Sequence, residues 1–317
     1  MSKDIVFLIN RSEIGAGTRG ASLGPGAIMT AARKNGKTFF GNHLVEEIQE
    51  VNYFLDFPTQ FQHGKRIDGL VKIYESLNEK VSSILKNNQF PLILAGDHSS
   101  AGGTIAGIKS AFPQKRLGVV WIDAHADLHT PYTTPSGNLH GMPLSAALNE
   151  DNLACKVNEV NTETIHFWNT LKQMGGISPK ILREDLVFIG VRDTENQEDE
   201  MIKSLNIKNH SVSEVNQFGT QKIVNDIEKQ LSNCDCIYIS FDVDSMDPLY
   251  TSHGTGTPVD NGLTPEQALE LLTLFARNEK TVCIEFVEVN PCLDEKTNKM
   301  GEVTAELVEK VIEALEK

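Results

Sequence analysis

Residues 117–129 read LGVVWIDAHADLH, a nearly unbroken apolar run that ends on Asp123, His125 and Asp127. A run apolar on both faces marks a strand covered by helices on both sides, as in parallel α/β sheets. Spacing of i, i+2 and i+4 puts the three polar residues on one side of an extended chain. They stand at the strand's C-terminal end, where open α/β sheets place their sites. Residues 92–98, LILAGDH, repeat the design and end on His98, and residues 236–244, CIYISFDVD, run into Asp242 and Asp244. A lone Asp at a strand end is ordinarily a turn residue. Three strand ends that deliver two imidazoles and four carboxylates are a ligand set.

The charge of that set says what it binds. Gathered carboxylates repel, and burying one unpaired costs several kcal/mol or forces its protonation. Two divalent cations cancel four Asp. Imidazole and hard oxygen suit Mn²⁺ or a similar first-row ion better than a thiolate-bound metal.

The rest of the chain alternates in the same way. Apolar runs predict strands at 5–9, 47–53, 91–95, 117–122, 186–191, 237–241 and 282–287. Helical spacing predicts helices at 24–34, 67–87, 103–111, 143–147, 221–231, 265–277 and 302–316. Strand then helix, repeated, gives a doubly wound, mostly parallel sheet: a three-layer α/β/α fold in a single domain over 1–317. Residues 152–180 read as a polar helical insertion on the surface, whose Phe167 and Trp168 pack on the same domain or on a neighbouring subunit.

Composition narrows the function. The chain has 317 residues, 40% hydrophobic and 23% charged, with a net charge of −14. That charge argues against nucleic acid or an anionic membrane as partner. No apolar stretch approaches the ~20 residues of a membrane span, and the N-terminus shows no signal-peptide core. Five scattered cysteines, Cys155, Cys234, Cys236, Cys283 and Cys292, form no framework and point to a reducing compartment, the cytoplasm. Gly15, Gly17 and Gly20 match a dinucleotide fingerprint in spacing. Asn10 to Ile14 separate them from the strand, however, so a flexible loop is the simpler reading.

The ligand blocks, with RGASLGPGAI near the start and IEFVEVNP near the end, resemble the ureohydrolase superfamily. That superfamily holds arginases, agmatinases and formimidoylglutamases. Ser136-Gly-Asn-Leu-His-Gly141 resembles the arginase branch in particular. The resemblance implies hydrolysis of a small guanidinium substrate, L-arginine, to L-ornithine and urea by a water activated between two Mn²⁺ ions. One ion would be held by His98, Asp123, Asp127 and Asp242, and the other by His125, Asp123, Asp242 and Asp244. His140 matches the family's proton shuttle. Glu288 matches the acid that orients the guanidinium, and Asp127 is placed to pass a proton to the leaving nitrogen. Ser136 and Asn138 match contacts to the substrate carboxylate; Glu195 and Glu198 match the acids that bind its ammonium group. The resemblance also implies a homo-oligomer, trimer or hexamer.

Two positions depart from the arginase pattern: Glu195 stands for the usual Asp and His129 for the usual Asn. The ring of His129 is expected to replace that amide against the substrate carboxylate. Rival readings are a ureohydrolase acting on agmatine, guanidinobutyrate or formimidoylglutamate, and a catalytically silent metal-binding homologue. Ser136 and Asn138 disfavour the first two substrates, and the complete ligand set disfavours a silent protein.

Overall fold

All but one of the apolar runs become strands where they stand, because each is long enough to bury both faces. The computed structural model describes residues 3–317. In chain order the elements are β1 (Ile5–Asn10), α1 (Gly24–Lys34), α2 (Phe39–Asn42), β2 (Leu44–Glu47), α3 (Ile67–Lys86), β3 (Phe90–Ala95), α4 (Ala101–Ala111), β4 (Leu117–Ile122), α5 (Pro143–Leu148) and α6 (Thr162–Gln173). There follow β5 (Leu186–Ile189), α7 (Asn196–Leu205), β6 (Lys208–His210), α8 (Val212–Phe218), α9 (Thr220–Gln230), β7 (Cys236–Asp242), α10 (Pro265–Arg277), β8 (Thr281–Val287) and α11 (Lys299–Leu315).

The strands form one eight-stranded sheet in the order β2-β1-β3-β8-β7-β4-β5-β6. Every neighbouring pair is parallel. Alternate residues feed two cores. Phe7, Ile9, Ile239 and Phe241 pack with Ile28 of α1, Ile227 of α9, Leu271 of α10 and Val308 of α11. Leu8, Trp121 and Tyr238 pack with Leu77 of α3, Ile105 of α4, Leu144 of α5 and Trp168 of α6. That makes the three layers. Each large side chain fully buried in this way contributes ~1.5–3 kcal/mol.

The expected strand 47–53 is a correction. The strand is Leu44–Glu47, and Asn52–Asp56 forms a 3-10 turn. The opposite edge, Lys208–His210, was not expected at all. Both edges carry polar residues, LVEE and KNH. That polarity blunts an open sheet edge against unwanted pairing, and it hides the strand from a search for apolar runs.

Residues 152–180 contain α6, whose N-terminus is capped by Asn161 Oδ1 accepting from Thr164 N. Trp168 is buried on this chain's own core, its Nε1 donating to Asp151 Oδ1 at 2.7 Å. Phe167 meets Phe61 edge to face at 5.5 Å.

Candidate metal centre and substrate pocket

The sheet order explains why distant segments meet. The four central strands are β3, β8, β7 and β4. Ile122 pairs with Phe241, and Asp242 pairs with Val287. The residues that follow these strands therefore emerge at one level: His98 after β3, Glu288 after β8, Asp242 and Asp244 at the end of β7, and Asp123 to Asp127 after β4.

His98 Nδ1 faces three carboxylates, with Asp123 Oδ2 at 3.0 Å and Asp127 Oδ2 and Asp242 Oδ2 each at 3.2 Å. His125 Nδ1 lies 3.1 Å from Asp244 Oδ2 and 3.5 Å from Asp123 Oδ1. Asp123 thus serves two ligand groups through its two oxygens. The donor atoms of His98, Asp123 and Asp127 lie within 4.8 Å of one another, as do those of Asp123, His125 and Asp244. Nearly all of it is buried, with His98, Asp123 and Asp244 each 1% exposed.

These residues demand positive charge between them. Burial opposes a charge on either imidazole, yet the facing carboxylates hold His98 and His125 well above the usual imidazole range. Burial and the neighbouring Asp244 and Asp123 push Asp242 well above the carboxylate range. Burial likewise raises Asp127 and Asp244.

Supporting contacts aim the ligands. Ser240 Oγ lies 2.7 Å from His98 Nε2, and Trp121 stacks on the His98 ring with centroids 4.0 Å apart. Thr257 Oγ1 donates to Asp244 Oδ2 at 3.1 Å. Ser240 was missed from the sequence. Its signal was its position two residues before Asp242, on the same face of β7.

His98, His125, Asp127, Asp242 and Asp244 floor a cavity of about 370 Å³, also lined by His129, Ser136, Asn138, His140, Glu195, Glu198 and Glu288. Glu288 adopts φ 67 and Asp127 φ 50, a left-handed backbone that non-glycine residues seldom take. Such strain, ~1–3 kcal/mol each, persists where surroundings over-determine it. Glu288 is fixed at both ends: its N donates to Gly96 O at 2.8 Å, and its Oε1 accepts from His98 N at 2.9 Å.

His140 Nδ1 lies 3.6 Å from Glu288 Oε1. Burial opposes its charge, but Glu288 raises it to about 9. The glycine-rich loop is part of this wall. Gly15 O accepts from Leu139 N and His140 N, Gly15 N donates to Asp97 Oδ2, and Glu13 Oε2 accepts from Gly20 N and Ser22 N. A Cβ on Gly17 would meet Asn138 Nδ2 at 2.7 Å.

At the other end of the pocket stand Glu195, which caps α7, and Glu198 in its first turn. Glu198 Oε1 accepts from Leu128 N at 3.0 Å and Oε2 from Glu195 N at 3.2 Å. Burial raises Glu198 to about 8, and the hydrogen bond from His129 lowers Glu195 to about 2. His129 was expected to face a substrate carboxylate. Its Nε2 instead lies 2.9 Å from Glu195 Oε2, and its Nδ1 lies 3.2 Å from Thr133 Oγ1. Both ring nitrogens are engaged by protein groups.

Comparison with known proteins agrees with the geometry. The sequence model of the arginase family matches residues 3–314. Arginase from Bacillus subtilis (strain 168) is 33% identical over 98% of both chains, and arginase from Brevibacillus brevis is 34% identical, also over 98% of both. The native structure of arginase from Bacillus caldovelox superposes with a TM-score of 0.82 at 31% identity, covering 98% of each chain. With this likeness running from end to end, and ligand groups meeting at the central strand ends, the chain belongs to the arginase family.

Proposed function

We propose that this chain is an arginase that hydrolyses L-arginine to L-ornithine and urea, with two Mn²⁺ ions as cofactors. The observation that carries the reading is the pair of ligand groups joined through Asp123 in the pocket that also holds Glu288 and His140. His98, Asp123, Asp127 and Asp242 would hold one ion; His125, Asp123, Asp242 and Asp244 would hold the other. The residues fit. His98 Nδ1 and Asp123 Oδ2 are buried without a hydrogen-bond partner, a condition worth ~1–3 kcal/mol per group that a cation between them relieves. A donor set of imidazole and carboxylate without thiolate suits Mn²⁺. When bound, such a pair supplies Lewis acidity and a nucleophilic water at neutral pH.

The chain's own residues do the rest. The fixed carboxylate of Glu288 holds the planar guanidinium by paired charge-assisted hydrogen bonds, presenting its carbon in one orientation. Asp127 passes a proton to the leaving nitrogen, and His140, whose side chain is 24% exposed, exchanges protons with solvent. Ser136 and Asn138 receive the substrate carboxylate, and Glu195 and Glu198 its ammonium group. The single domain is assigned to the cytoplasm as a homo-oligomer, trimer or hexamer. Five unpaired cysteines support a reducing compartment, and exposed Leu249, Tyr250 and Leu293 offer apolar surface to another copy.

The test is urea release with Mn²⁺ from arginine, run beside agmatine, 4-guanidinobutyrate and formimidoylglutamate for formamide. Arginine is expected to give the highest kcat/KM. Preference for another substrate moves the chain to a different ureohydrolase activity, and no product from any of them identifies a silent homologue.

A further inference from the structure

His129 is 7% exposed, and its ring is held on both sides. Thr133 Oγ1 accepts from Thr130 N at 3.0 Å, and Thr130 Oγ1 donates its own proton to Asp151 O at 2.9 Å. The Thr133 hydroxyl proton is thus free for His129 Nδ1, its nearer acceptor. The ring thereby directs Nε2 at Glu195 Oε2, where an Nε2–H donates in the neutral Nε2–H tautomer and in the imidazolium alike. Glu198 Oε2 lies 3.5 Å from the same nitrogen.

The two acids differ in what they need. Glu198 is buried and already accepts from two backbone N–H groups, so its place is set without His129. Glu195 has a side chain 55% exposed at the rim. An exposed Glu has up to ~1.5–2 kcal/mol of rotamer freedom to lose when a ligand fixes it. A rigid donor behind it removes that loss in advance, which is preorganisation.

Resting on the arginine-hydrolysing reading, we propose that His129 is a specificity-determining positioning residue. It acts through Glu195, holding that carboxylate in place to receive the α-ammonium group of the substrate. It is not a contact to the substrate carboxylate. The wall behind it is built from the 152–180 segment: Asn158 Nδ2 donates to Pro131 O and Thr134 O, and Asn152 Nδ2 donates to Gln197 O in α7.

The experiment measures kcat and KM of the Mn²⁺-loaded enzyme and of its His129→Leu and His129→Gln variants. Three substrates are used: arginine, agmatine (arginine without its carboxylate) and 5-guanidinopentanoate (arginine without its α-amino group). His129→Leu is expected to lower the kcat/KM ratio of arginine to 5-guanidinopentanoate about tenfold, and that of agmatine to 5-guanidinopentanoate alike, mostly through KM. His129→Gln, whose amide N–H reaches toward the same oxygen, restores much of both ratios. Equal losses on all three substrates reduce His129 to a packing role and overturn the proposal. A loss on arginine and 5-guanidinopentanoate with agmatine spared also overturns it, in favour of a carboxylate contact. If the unaltered enzyme releases urea from none of the three, the functional reading itself fails and the proposal with it.

Discussion

The proton-transfer role proposed for His140 can be tested apart from metal binding, because its ring faces Glu288 while its backbone is held by Gly15 O. Replacing it with Asn keeps a polar side chain of similar size and removes the titratable nitrogen. His140→Asn is expected to lower kcat by ~10²–10⁴-fold, with KM for arginine and metal content nearly unchanged. Steady-state kinetics beside metal analysis checks this. Unchanged turnover would reassign His140 to holding the loop. At this scale the candidate ligands were legible from residue type and from their place at strand ends, whereas the extended run expected through Asp127 was not found. β4 stops at Ile122 and Asp127 is left-handed, so the sheet order and not alternation brings these side chains together. The partners of His129 were not legible. They depend on where α7 docks, and no local pattern around residue 129 reports that.

Among the elements, central strands and long helices were read almost to their ends. Pro265 and the reciprocal Thr264–Gln267 cap mark the start of α10 within the sequence itself. The edges and the short polar helices α7 and α8 were missed, because half-exposed elements carry too few apolar residues to show a period. The 152–180 segment ends in a contact that pH can test. Lys180 is buried, and its Nζ donates to Leu171 O and Lys172 O near the C-terminus of α6. Burial lowers its pKa from 10.5 to about 8. Between pH 8 and 10.5 the unfolded chain keeps this proton while the folded chain releases it. Stability from this group therefore rises with pH across that window, and the burial penalty is fully present below it. Relative to Lys180→Met, the unaltered protein is expected to gain stability across this window by an amount of order ~3 kcal/mol. Denaturant unfolding of both proteins at several pH values measures the difference. A difference independent of pH would show that Lys180 keeps its proton throughout, stabilised by the helix-end carbonyls.

For the whole molecule, the fold is a device for concentrating negative charge. Parallel strands all end on one edge of the sheet, and the order β3-β8-β7-β4 sets four such ends side by side. A chain of net charge −14 then gathers four Asp around His98 and His125. On the proposed reading cations complete that arrangement, so activity and metal content are expected to rise together. The direct measurement is titration of metal-stripped protein with Mn²⁺, following urea formed from arginine. The account predicts no urea from the stripped protein and a rise that levels off at about two equivalents per chain, as a two-metal site requires. Urea release from the stripped protein, or saturation at one equivalent, would contradict it.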